Sequence, residues 1–142
     1  MSRAFVKEDD GHERPIARVA SDNPNYVTPE GLLQLESRLA DAERAGNERD
    51  AAYLSARIAD AIVVKHDGKK REVEIGATVT IATPDGARLT YRIVGEDEAD
   101  PRKGSISWIS PLAQALLGAK PGETVLWERP AGTLPVTIRE LA

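Results

Sequence analysis

Residues 105–123 read SISWISPLAQALLGAKPGE. Ser105, Ile106 and Ser107 alternate in the manner of a strand. Ser110 is a natural helix N-cap, and Pro111 fits the first helical position because its missing N–H would be unpaired there in any case. Leu112 and Leu116 stand one turn apart, where they plug one side of a sheet, while Ala113 and Ala115 permit close approach. Gly118 suits the left-handed position after the helix, and Gly122 suits the turn into another strand. A strand, a very short apolar helix and a glycine exit in such close succession belong to a small α+β domain with the helix as a core plug.

Working outward, residues 78–82 alternate with Val79 and Ile81 on one face, and Thr83-Pro84-Asp85-Gly86 makes a turn. Leu89, Tyr91 and Ile93 alternate on the return strand. Residues 105–109 read as a third strand and 124–128 as a fourth, and Pro130-Ala131-Gly132-Thr133 turns into a fifth that carries Val136 and Ile138. Such strands, interrupted by one short helix, predict a strongly bent, mostly antiparallel sheet.

Upstream the period changes. Thr28-Pro29-Glu30 supplies a cap, a first-turn proline and a first-turn acid, and Leu32, Leu35, Leu39 and Ala42 then recur at steps of three, four and three. Gly46 and Asn47 end that helix, and Ala51, Leu54, Ile58 and Ala61 repeat the same spacing. Two matching stripes joined by a glycine turn predict an antiparallel helical hairpin, a short coiled coil. The expected divisions are therefore an irregular lead-in at 1–27, the hairpin at 28–64, a basic glycine-containing linker at 65–74 and the α+β domain at 75–142. The lead-in holds Gly11, Pro15, Pro24 and the acidic run Glu8, Asp9, Asp10, without usable periodicity.

Composition narrows the function. A length of 142 residues suits one modest core and an appendage. With 30% charged residues and a net charge of -4, the chain has no overall basic field to draw in nucleic acid, so a protein partner is expected. The absence of cysteine excludes disulfides and thiolate chemistry. The amino terminus lacks a signal-peptide core, and no apolar run nears the ~20 residues of a membrane span. A cytoplasmic monomer without membrane contact is the expectation. No phosphate loop or nucleophile elbow is visible, so no intrinsic catalytic residue is expected.

Ser107, Ser110-Pro111-Leu112-Ala113, Ala115-Leu116-Leu117 and Gly122-Glu123 resemble the C-terminal signature of the bacterial GreA/GreB family of transcript cleavage factors. The similarity extends over residues 91–125, including the Gly95 to Asp100 loop, and continues through the Pro130-Ala131-Gly132 turn. Tyr26-Val27-Thr28-Pro29-Glu30-Gly31 with Leu35 is similar to the way these proteins enter their first helix. The resemblance implies a coiled-coil hairpin and an FKBP-like C-terminal domain that docks on RNA polymerase beside its secondary channel, touching nucleic acid only indirectly through the elongation complex. It also implies that hairpin-tip acids help to hold a magnesium ion shared with the polymerase, since hard cations prefer oxygen ligands, while the factor has no cofactor of its own. It would at most assist the polymerase's own cleavage activity.

On that resemblance, Glu48 and Asp50 are the magnesium-facing candidates, followed by Tyr53. Asp41 and Glu43 are weaker ones. A structural explanation stands beside them: Asn47 is a good cap, and acids in the first turn favourably meet the helix dipole. Residues 29–45 give an arm of only ~25 Å at ~1.5 Å per residue, shorter than the family's arms. Ser110, Pro111 and Gln114 are the candidates for polymerase docking. Lys65, Lys69, Lys70 and Arg71 form a solvated run or a contact for an acidic surface, and His12 and His66 lack clustered partners at ligand spacing. Three functions follow: a Gre-type elongation regulator, a non-cleaving Rnk-like channel regulator that competes with longer relatives, and an FKBP-like peptide-binding or isomerase module. The last needs an aromatic-lined cavity, for which Tyr91, Trp108 and Trp127 are the material.

Overall fold

The computed structural model describes residues 21–69 and 71–142. Glu8, Asp9, Asp10, His12 and Lys70 lie outside the described residues, as does most of the expected lead-in. In chain order the elements are β1 (Asn25–Val27), α1 (Pro29–Arg44), α2 (Glu48–Ala59), β2 (Ala61–Val63), β3 (Thr78–Ala82), β4 (Arg88–Val94), β5 (Ser105–Ser107), α3 (Pro111–Leu116), β6 (Thr124–Arg129) and β7 (Gly132–Leu141). Two single 3-10 turns, Glu96–Glu98 and Pro101–Lys103, separate β4 from β5.

Local chemistry sets the ends of the first two helices. Thr28 takes an extended backbone, and its hydroxyl accepts the Gly31 N–H at 3.0 Å, so one orphan donor of α1 is satisfied. At the far end Gly46 adopts a φ of 73°, which a side chain would resist, and Asn47 N–H returns to the Ala42 carbonyl at 2.9 Å. Asn47 then caps α2 by accepting the Asp50 N–H at 3.1 Å. The helices bury Leu35 and Ala42 against Leu54 and Val27, with Leu32, Leu39, Ala51, Tyr53 and Ile58 around them. The expected stripe is thus largely in place, but Ala61 is not helical: α2 stops at Ala59 and Ala61 begins β2.

Strand β2 pairs in parallel with β1, aligning Asn25 with Ala61 and Val27 with Val63. This two-stranded sheet fastens the entry and exit of the helix pair, and it corrects the expectation of irregular chain through residue 27. Three-residue strands carry no readable alternation, and their partners stand far apart in sequence, so neither strand is visible in the residues alone.

The second sheet has the order β5-β4-β3-β7-β6, antiparallel except for the parallel β4–β5 pair. A register shift between Thr80 and Ile81 bends its centre. Val79, Ile81, Ile93, Val136 and Ile138 point to one face, where Leu112, Ala113 and Leu116 of α3 cover them. Strand β5 is shorter than the expected 105–109, because the chain turns after Ser107 to place Ser110 as the cap of α3. Within the expected linker, the Val73 N–H donates to the Ala119 carbonyl at 2.8 Å and the Gly118 N–H donates to the Val73 carbonyl at 2.9 Å. His66 lies 2.6 Å from the Glu74 carboxylate and 3.0 Å from the Ala142 carbonyl oxygen, while Lys65, Lys69 and Arg71 are exposed.

Leu54 is fully buried between the helices, so Leu54→Ala should lower stability by about 2–5 kcal/mol, and Ile58→Ala, at a half-buried site, by less. Urea denaturation followed by helical circular dichroism measures both. A Leu54→Ala protein that unfolds like the parent would mean that the two helices do not pack.

Candidate functional site

At the turn between the first two helices, Glu48 is exposed and Asp50 half-buried. Asp50 is engaged in a reciprocal cap, since its Oδ2 accepts the Asn47 amide at 2.8 Å while its own N–H donates to Asn47 Oδ1 at 3.1 Å. Glu48 is therefore the better placed of the two for an external cation. Asp41 pairs with Arg44 on the surface, and Glu43 is exposed. Among the described residues, no group of three or more His, Cys, Asp or Glu side chains is arranged to hold a metal ion. Tyr53 does not join the tip acids; its hydroxyl donates to Asp97, in the turn after β4.

On α3 the docking candidates form a compact surface. Ser110 Oγ accepts the Ala113 N–H at 3.3 Å, Pro111 is exposed, and Gln114 Nε2 donates to the Trp108 carbonyl at 2.7 Å. Leu112 and Leu116 are buried behind them, as their one-turn spacing predicts. Ile109, 38% exposed, extends this face with an apolar side chain.

The residues that the sequence reading misses join the helix pair to the five-stranded sheet. All three acids of the turn after Gly95 face across that junction. Glu98 accepts the Thr28 N–H at 2.9 Å through Oε2 and the Thr28 hydroxyl through Oε1, and also takes the Gly95 N–H at 3.0 Å. A carboxylate here faces the positive end of α1. Gly31 is required by space: a Cβ there would lie 2.0 Å from Glu98 Cδ. A Cβ on Gly95 would lie 2.4 Å from the Tyr26 carbonyl oxygen.

Asp97 holds α2. Its Oδ1 accepts the Tyr53 hydroxyl and its Oδ2 the Arg57 Nε, both at 2.7 Å. Arg57 is 4% exposed; it also donates to Asn25 Oδ1 at 2.7 Å, and Glu96 lies 3.9 Å away. Burial by itself lowers the Arg57 pKa, but the bond to Asp97 and the nearby negative charge outweigh it, and the group stays above its ordinary value. Glu30 reaches Arg92 of β4 at 3.1 Å, and Tyr26 meets Trp108 edge-on with ring centroids 5.0 Å apart. Only half of this junction is legible in sequence: Tyr53 and Arg57 stand four apart and so share one helix face.

Trp108 therefore belongs to the junction, and Arg129 lies over the Trp127 ring at 5.7 Å. A cavity of about 300 Å3 opens on the other side of the sheet, lined by Ala82, Thr83, Pro84, Pro135, Thr137 and Arg139, without an aromatic side chain among them.

Residues 68–142 match the family described as "Transcription elongation factor, GreA/GreB, C-term". The chain is 42% identical over 94 residues to the transcription elongation factor GreA of Macrococcus caseolyticus, a match covering 66% of this chain and 60% of that protein. It is 33% identical over 155 residues to the GreA of a Roseiflexus species, covering 85% of this chain and 99% of that protein. Among solved structures, GreA factor homolog 1 of Thermus thermophilus aligns over 84% of this chain and 99% of its own, at 20% identity and a TM-score of 0.47.

Burial, reinforced by the bond to Asp97, pushes the Tyr53 phenol up to about 12. A phenol held protonated in the folded state stabilises it fully below the unfolded value near 10, and that contribution is lost as pH rises towards 12. Spectrophotometric titration should show a phenol ionising at about 12 that disappears in Tyr53→Phe. The variant should also lose less stability than the parent across that alkaline window. Identical titrations would place Tyr53 outside the junction.

Proposed function

The chain belongs to the GreA/GreB family of transcription elongation factors, and we propose on that premise that it binds RNA polymerase near the secondary channel and modulates elongation and backtracking. The observation that carries this reading is the family match over residues 68–142, a region that folds as one sheet with α3 on it and holds a two-helix arm at its side. The globular part is read as FKBP-like and the arm as a short coiled coil. The arm enters the channel, the α3 face with Ser110, Pro111 and Gln114 docks, and nucleic acid is met only through the elongation complex. The factor acts as a monomer in the cytoplasm; among the described residues no helix is long and apolar enough to cross a membrane.

Magnesium bound with the polymerase would stabilise the attacking and leaving oxygens of RNA hydrolysis. This chain's part is to present Glu48, with Asp50 behind it, and the polymerase performs the reaction. Arm length limits that part. Helix α1 has 16 residues and α2 has 12, or roughly 24 and 18 Å of helix. The reading is polymerase binding with weak or absent stimulation of cleavage.

Two experiments test it. Glu48→Gln with Asp50→Asn should leave polymerase binding within about twofold and remove whatever cleavage the parent stimulates on stalled complexes, because the amides keep shape and lose charge. Vigorous cleavage by the parent, abolished in this variant, would replace the weak-cleavage reading with that of a full cleavage factor. Gln114→Lys keeps a donor for the Trp108 carbonyl while adding a charge to the docking face, and should weaken binding about tenfold without changing Tm. Unaltered binding by Gln114→Lys, and by changes at Ser110 and Pro111, would move the docking face elsewhere.

A further inference from the structure

We propose that the Glu96-Asp97-Glu98 turn is a clamp that sets the direction of the hairpin, with Asp97 and Glu98 as positioning residues for its tip. The two apolar cores are separate clusters, one around Leu35 and Leu54 and one around Ile81 and Ile138. Contact between apolar cores is in any case non-directional, so the angle between arm and sheet falls mainly to the hydrogen bonds that cross the junction, beside the edge contact of Tyr26 with Trp108. Those bonds are charge-assisted, partly buried, and converge from both helices on one turn. Glu98 grips the start of α1 through Thr28, and Asp97 grips α2 through Tyr53 and Arg57.

The points of attachment make the clamp effective on so short an arm. Tyr53 and Arg57 lie within α2, so only residues 48–52 extend beyond the grip towards the turn, about 7.5 Å of helix. Two holds on α2 one turn apart, with a third at the N-terminus of α1, oppose both tilting and rotation. Gly31 and Gly95 leave the space the carboxylates occupy, so the turn fits against the helix without displacing its backbone. The tip is thereby carried at one angle to the docking face. The functional half of this inference rests on the polymerase reading: an arm freed from the clamp should still dock through α3 but lose its effect on elongation.

The chain has no cysteine, so Glu43→Cys near the tip and Lys120→Cys on the globular part accept spin labels at unique positions of the 142-residue chain. The parent should give one narrow inter-label distance. Asp97→Asn with Glu98→Gln should add a second distance population, and Gly31→Ala, which displaces the Glu98 carboxylate while leaving it charged, should do the same. Parent-like distances in both folded variants would overturn the clamp. Where the double variant loses its helical signal, the near-isosteric Asp97→Asn alone decides by the same criterion. The distances are measured on free protein, so their outcome is independent of polymerase: altered distances in a chain whose parent does not bind polymerase would uphold the clamp and overturn the proposed function. In a chain that binds, the clamp variants should retain affinity while losing their effect on elongation rate, and a variant with loosened distances and undiminished effect would refute the positioning role.

Discussion

The rest of the structure depends on one carboxylate at the foot of one helix. Glu98 takes both the backbone N–H and the hydroxyl of Thr28, and Thr28 in turn caps α1 through Gly31. A helix N-terminus offers unpaired donors and a positive dipole end, so a half-buried acid there is both hydrogen-bonded and charge-compensated. Thr28 is fully buried, and its hydroxyl serves as acceptor and donor at once. A local capping signal thereby becomes the joint between two parts of the molecule that do not share an apolar core.

Asp97 extends the same logic to the second helix. Arg57 would be a costly burial without a counter-charge, and removing one partner of such a pair leaves the other stranded, at a cost of about 3–5 kcal/mol. Here the guanidinium is divided between Asp97 and Asn25, which ties the sheet formed by β1 and β2 to the turn between β4 and β5. Asn25 also donates to the Arg57 carbonyl at 2.7 Å, so the amide serves both the side chain and the backbone of one residue. The helix pair is held at its base by polar bonds and along its length by leucines, and the exposed tip is what remains available to a partner.

The globular part is arranged differently. Its sheet is filled from one side by α3, whose buried leucines face the strands and whose polar edge stays outside. Val73 is bonded to the exit of α3, so this part of the chain lies against the domain. Docking candidates and tip acids thus sit on separate parts of a molecule whose relative placement is set by the junction between them.

The sequence by itself determined the local elements. Thr28-Pro29-Glu30 marks the start of α1, Ser110-Pro111 that of α3, and the alternation around Val79 and Ile81 marks a strand, because capping, proline geometry and side-chain period act over a few neighbouring residues. The tip acids and the candidate docking residues of α3 came from the family resemblance, and local pattern alone explains only their caps. Tertiary structure alone decided the parallel pairing of β1 with β2, the fastening of Val73, the end of α2 before Ala61 and the clamp that draws Glu98 to Thr28, 70 positions away, and Asp97 to Arg57, 40 positions away. An acid in a surface-like turn and a cap before a helix look the same in sequence whether or not they meet. Their bond exists only when the fold has brought them together and excluded water from between them, which no local pattern encodes.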